Sequence, residues 1–147
     1  MAKRKREDEI AELAARVRMI ITPLSRQLRQ HANDGLTPTF LSAIGTIWRH
    51  GPITLGDLAT HERVSPPMVT KVVGGLEEQG LVERRIDPTD RRVSWVALTP
   101  KGETWLEEAR ARRDAWLAER LSSLTADELA TLAAALPVFD RLTQPDG

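Results

Sequence analysis

The apolar period of this chain changes at Gly80, and that change restricts its fold more than any other feature. Before it, Val69, Val72, Val73 and Leu76 recur at three- and four-residue steps, the spacing of one helix face. After it, residues 82–86 and 93–98 form two short runs rich in β-branched side chains. They are joined by Asp87-Pro88-Thr89-Asp90-Arg91-Arg92. That pattern predicts a β-hairpin with a charged tip. Gly80 fits the left-handed position that closes a helix, with Leu81 placed to pack back on Leu76.

The rest of the sequence reads as helix with explicit starts. A first helix is expected over residues 8–31, with Ile10, Leu13, Val17, Ile21, Leu24 and Leu28 as its stripe, a bend at Pro23 and an end at Asn33-Asp34-Gly35. Thr37 followed by Pro38 opens a second, which Gly51-Pro52 stops. Thr54 caps a short third helix that ends near His61. Ser65 followed by Pro66 opens a fourth, running to Gln79. Helix resumes at Thr99-Pro100 and runs to about Leu121. A last helix starts at Thr125 with a capping box to Glu128, carries the stripe Leu129, Leu132, Leu136, Phe139 and Leu142, and bends at Pro137. The final Gln144-Pro145-Asp146-Gly147 is expected to fray.

Composition removes several function classes. Among 147 residues there is no cysteine, so disulfides, thiolate metal sites and cysteine nucleophiles are excluded. Basic and acidic side chains number 21 each, and the whole chain exerts no net pull on a charged partner. Residues 1–100 carry 15 basic and 12 acidic groups, a balance of +3, against 6 and 9 in residues 101–147, a balance of −3. No apolar run approaches the roughly 20 residues of a membrane span. The opening residues lack the apolar core of a secretory signal. A soluble, cytoplasmic protein is expected.

Helix, turn, helix with a sharp end, then a hairpin are the parts of a winged helix-turn-helix. The expected fold is mainly α with a small β-hairpin wing. In such a module the second helix, here residues 65–79, lies in the major groove of double-stranded DNA. A helical wheel turns Val69, Val72, Val73 and Leu76 inward. It turns Pro67, Lys71, Gly74, Gly75 and Glu78 outward, with Met68 and Thr70 on the shoulders. Lys71 suits guanine or phosphate, Thr70 suits a hydrogen bond or a thymine methyl, and the helix start at Ser65 suits a phosphate. Arg91 and Arg92 at the tip suit a minor groove, with Asp87 and Asp90 placed to hold the guanidinium groups. The tip charges also sum to zero, so a merely solvated hairpin fits as well. A winged helix used as a protein-interaction module, without DNA, is the alternative that the zero net charge keeps open.

Several stretches together resemble the MarR family of transcriptional regulators. They are Thr54-Leu55-Gly56-Asp57-Leu58-Ala59, Ser65-Pro66-Pro67-Met68-Val69-Thr70-Lys71-Val72-Val73, and Leu76-Glu77-Glu78-Gln79-Gly80-Leu81-Val82-Glu83-Arg84-Arg85. To these add Asp87-Pro88-Thr89-Asp90-Arg91-Arg92-Val93 and Leu98-Thr99-Pro100-Lys101-Gly102. The resemblance implies a homodimer joined by residues 1–36 and 99–147, with residues 37–98 as the DNA-binding domain. It implies groove contacts at Ser65, Thr70 and Lys71 and a wing contact at Arg91 or Arg92; where this chain has Thr89, the family wing often has arginine. It also implies a response to small aromatic or anionic effectors in a cleft, for which Phe40, Ile44, Trp48 and Met19 are candidate linings and Arg16 or Arg49 anion partners. No cofactor is expected. His31, His50 and His61 fall on three segments without a metal-ligand spacing, and no catalytic motif is present.

Overall fold

The computed structural model describes residues 1–31 and 35–144. Its elements are α1 (Ala2–His31), α2 (Pro38–His50), β1 (Ile53–Thr54), α3 (Leu55–Glu62), α4 (Pro66–Glu78), β2 (Val82–Ile86), β3 (Ser94–Leu98), α5 (Pro100–Leu121) and α6 (Ala126–Thr143). Asn33 and Asp34, expected to end the first helix, and Pro145-Asp146-Gly147, expected to fray, lie outside the described residues. Helix α1 starts six residues before the expected Asp8 and is continuous through Pro23. Its opening Lys, Arg and Glu residues lose little rotamer freedom in a helix, so propensity extends it beyond its apolar stripe.

The caps foreseen in the sequence are formed. Thr37 Oγ1 accepts from the Phe40 N–H at 3.3 Å, Thr54 Oγ1 from the Asp57 N–H at 3.1 Å, and Ser65 Oγ from the Met68 N–H at 3.4 Å. Thr125 and Glu128 complete their reciprocal box. At the end of α4, Gly80 has φ of 72°. The Leu81 N–H donates to the Leu76 carbonyl at 3.0 Å and the Gly80 N–H to the Glu77 carbonyl at 2.8 Å, a full Schellman motif.

Helix α3 ends the same way without a glycine. Arg63 takes the left-handed position at φ 54°, while the Val64 N–H donates to Ala59 and the Arg63 N–H to Thr60. A side chain with a Cβ pays about 1 kcal/mol there, so Arg63→Gly is expected to raise stability by roughly 0.5–1 kcal/mol in a denaturant melt. A lower midpoint would show that the Arg63 side chain contributes more than its backbone costs.

The hairpin is part of a larger sheet. Strand order is β1-β3-β2, all antiparallel, with Ile53 opposite Val96, Thr54 opposite Trp95, and Val82 to Ile86 opposite Leu98 to Ser94. The expected third-helix start at Ile53-Thr54 is therefore also a two-residue strand. The core lies between α2, α3, α4 and this sheet. Ile44, Ile47, Leu58, Val73, Leu76, Leu81 and Val96 are its fully enclosed side chains. Leu106 of α5 joins the same cluster.

The chain divides into two units, Met1–Arg113 and Asp114–Gly147, with the boundary inside α5. In the second unit Trp116 is buried beneath the Arg120 guanidinium, which stands 3.7 Å from the ring centroid. Neither α1 nor α6 buries a residue. Ile10, Leu13, Met19 and Ile20 on α1, and Leu136 and Leu142 on α6, are each more than half exposed in the single chain.

Candidate nucleic-acid interface

Helix α4 is oriented as its wheel requires. Val69, Val72, Val73 and Leu76 are buried, while Ser65, Pro67, Met68, Thr70 and Lys71 are exposed. Two details change the chemistry expected of that face. Pro66 and Pro67 have no N–H, and the Met68 N–H is taken by Ser65. The first turn thus offers few amides to a phosphate, and the Ser65 hydroxyl is the main polar group left there. The Thr70 hydroxyl donates back to the Pro66 carbonyl at 3.0 Å, which leaves its methyl and its oxygen lone pairs to face outward.

Gly75 is not the open position that the wheel suggested. A Cβ there would fall 2.6 Å from Cζ of Phe40, so the absence of a side chain is what admits the Phe40 ring against α4. Gly74 has nothing within 4 Å of such a Cβ and is open.

The wing tip is organised by its two aspartates, in different ways. Asp87 Oδ1 accepts from the Thr89 N–H at 2.8 Å, the Thr89 hydroxyl at 2.7 Å and the Asp90 N–H at 3.0 Å. Its Oδ2 accepts from the Trp95 indole at 2.9 Å. Asp87 therefore shapes the loop and holds no guanidinium, contrary to the expectation. Asp90 does hold one. It accepts from the Arg92 N–H and Nε through Oδ1, and from Nη2 through Oδ2 at 3.1 Å. The Arg92 side chain is 90% exposed, so Asp90 fixes its direction without covering it. Arg91 is exposed and has no hydrogen bond or ion pair among the described residues.

Both carboxyls titrate below their ordinary range. Thr89 and then Trp95 hold Asp87 down most, and Arg92 holds Asp90 down. A depressed folded value favours the ordered tip above the ordinary carboxylate range. That contribution is lost only as pH falls through the lower folded values.

Two residues that sequence reasoning passed over join the wing to α4 and α5. Arg84 of β2 pairs with Glu77 of α4 at 2.7 Å. Lys101 Nζ donates to the Gln79 carbonyl at 2.7 Å, capping α4 from α5. Thr99 completes the joint, donating to the Gly80 carbonyl at 2.6 Å and accepting from the Gly102 N–H at 3.0 Å. For Thr99 and Lys101 the signal was the run Leu98-Thr99-Pro100-Lys101-Gly102, whose polar members had no assigned partner.

The candidate effector residues differ in exposure within the single chain. Ile44 is wholly enclosed in the core and Phe40 lies against Gly75. Trp48 borders a cavity of about 320 Å³ with Gly51, Pro52 and Glu103, and the Arg110 guanidinium stacks on its ring at 3.7 Å. Arg16 and Met19 are exposed on α1, and Arg49 donates to the Thr46 hydroxyl at 3.1 Å. His50 and His61, though on separate helices, stack with centroids 4.2 Å apart. Among the described residues no three metal-ligating side chains are grouped, and no helix is long and apolar enough to cross a membrane.

A helix-turn-helix whose second helix turns a lysine outward, followed by a three-stranded wing with an arginine tip, defines a winged-helix protein. Comparison with known proteins is more specific. The MarR family model matches residues 36–94. An uncharacterized HTH-type transcriptional regulator of Mycobacterium bovis is 37% identical over 129 residues, covering 87% of this chain and 90% of its own. The crystal structure of a transcriptional regulator from Pseudomonas aeruginosa superposes with a TM-score of 0.85 at 35% identity, covering 94% and 98%. A MarR family protein from Bacillus stearothermophilus gives 0.76 at 27% identity, with the same coverage. The chain belongs to the MarR family of HTH-type transcriptional regulators, which are not enzymes.

Proposed function

We propose that this chain binds a pseudo-palindromic operator in double-stranded DNA as a homodimer. Each α4 would enter a major groove, and each wing tip the neighbouring minor groove. The observation that carries this reading is the bare outer face of α4, where Pro67, Met68, Thr70 and Lys71 are uncovered by their own chain. The two half-sites would be about one helical turn, roughly 10 bp, apart. Ser65 and Lys71 supply the polar contacts of the helix. Arg91 and Arg92 supply those of the wing, with Asp87 and Asp90 shaping the loop that presents them.

Dimerisation is supported by the exposed leucines and isoleucines of α1 and α6, since stripes of this kind on two helices need a partner surface. Residues 1–36 and 99–147 would form the joint and residues 37–98 the reading head. Action on a chromosomal operator places the protein in the cytoplasm. Release by a small aromatic or anionic effector is part of the same reading, and of its candidate residues Trp48 is the one that borders a cavity.

The test is selection of genomic fragments by the purified protein, followed by sequencing. Enrichment of a palindrome with half-sites one turn apart is the expected result, and no enriched motif would overturn the reading. Affinity for the selected site should fall with salt at a log–log slope near −0.9 per phosphate contact, whereas an apolar protein contact would be flat. Lys71→Ala is expected to weaken that site by roughly tenfold or more, because one groove contact is worth about 1–3 kcal/mol. An unchanged dissociation constant would remove Lys71 from the groove.

A further inference from the structure

Gly74 stands on the outward face of α4 for no reason that the fold supplies. A glycine near a helix is usually kept for a left-handed turn, a cap or a close neighbour. Gly74 is mid-helix, lacks the positive φ of Gly35, Gly51 and Gly80, and a Cβ built there meets nothing within 4 Å. Gly75 differs, because the Phe40 ring occupies the place of its side chain. Alanine at position 74 would strengthen the helix, since glycine is the poorest helix former after proline. The missing methyl group therefore costs stability and answers no need inside the chain.

The gap it leaves has defined walls. Thr70 precedes Gly74 by four residues and Lys71 by three, so both flank it on the same side of the helix. A helical Cβ leans toward the N-terminus, which sets the missing one over the turn that carries Thr70 and Lys71. The Thr70 hydroxyl is turned back to the Pro66 carbonyl at 3.0 Å, so the wall it offers the gap is largely apolar. Pro67, Thr70 and Lys71 are exposed, and the gap opens outward with them. A space one methyl group wide, apolar on one side and beside a lysine, suits the C5-methyl of thymine, which a T·A pair presents in the major groove.

We propose that Gly74 is a base-reading position, and that the gap beside Thr70 and Lys71 receives the C5-methyl group of one thymine in each half-site. This rests on the operator reading above and adds to it the base and the atom that meet the middle of α4. Stability is surrendered at Gly74 so that the helix backbone can approach the base edge. Gly45 of α2 is equally open but lies on another helix, which makes it the control.

The test uses the operator selected by the parent chain, with each thymine in turn replaced by uracil, which lacks only the methyl group. For the parent, one such replacement per half-site is expected to weaken binding about fourfold, the worth of one buried methyl group. Gly74→Ala is expected to melt no lower than the parent, yet to bind the thymine operator roughly fivefold more weakly or worse, because its own methyl overfills the gap. Against the uracil operator that variant should recover, so the methyl effect changes sign between parent and variant. Gly45→Ala should bind both operators as the parent does. Equal affinity of Gly74→Ala and the parent for the thymine operator overturns the proposal. So does a thymine preference that Gly74→Ala keeps at every position, or a loss that Gly45→Ala shares. Absence of any selected operator removes the operator reading and this proposal together, whereas a tight operator indifferent to residue 74 removes this proposal alone.

Discussion

Gly102→Ala is expected to destabilise the chain by about 3 kcal/mol, because an added Cβ there meets backbone more closely than at any other described glycine. A Cβ at Gly102 would fall 2.0 Å from the Leu81 carbonyl oxygen and 2.9 Å from its carbon. Both atoms are backbone, and Leu81 is held in place by the Schellman bond to Leu76 and by the Thr99 N–H at 3.1 Å. No flexible side chain can give way, so the overpacking cost lies at or beyond the top of its usual range of roughly 1–3 kcal/mol. In a chain of this length that corresponds to a fall in Tm of roughly 6–12 °C, measurable by circular dichroism. Gly74→Ala is the matched control. It adds the same methyl group to open space in a helix interior and should be neutral or stabilising by about 1 kcal/mol. Equal melting of Gly102→Ala and the parent would mean that α5 does not approach Leu81 this closely.

Replacing Arg91 and Arg92 together by alanine is expected to cost roughly a thousandfold or more in operator affinity while leaving the melt unchanged. Both side chains are exposed, and substitutions of that kind usually change stability by less than about 0.5 kcal/mol. In the proposed dimer their loss would remove four guanidinium groups from the DNA surface. Each contact in such an interface is worth about 1–3 kcal/mol. The salt dependence should become shallower as well, since fewer counterions would be released. Full affinity in a folded double variant would exclude the wing from the interface.

Legibility in the sequence followed the range of the interaction responsible. The starts at Thr37, Ser65 and Thr125 were readable because a cap bonds a neighbour three residues away, and the end at Gly80 because a left-handed turn favours glycine. Strand β1 was not readable. Two residues have no period, and their pairing with Val96 and Trp95 spans some forty positions. Arg63 carried no glycine to mark its turn. The wheel misplaced Gly75 because α2 covers a wider arc of α4 than its apolar stripe, reaching the flank through Phe40.

At the site, the exposed face of α4 could be read because burial there follows helical period. The division of labour between Asp87 and Asp90 could not, since both stand within reach of several donors in a tight loop. Only the folded loop gives Asp87 the indole of Trp95 and gives Asp90 the guanidinium of Arg92.

The two-residue strand β1 has a mechanical consequence. Because β3 is zipped to β1 on one edge and β2 on the other, the hairpin is anchored at its root to the segment that launches α3. A swing of the wing alone would have to break the Ile53–Val96 pairing inside the core. Arginine tip and lysine helix therefore travel as one rigid tool, and tuning of grip must come from relocating the whole head or from softening the loop at its far end.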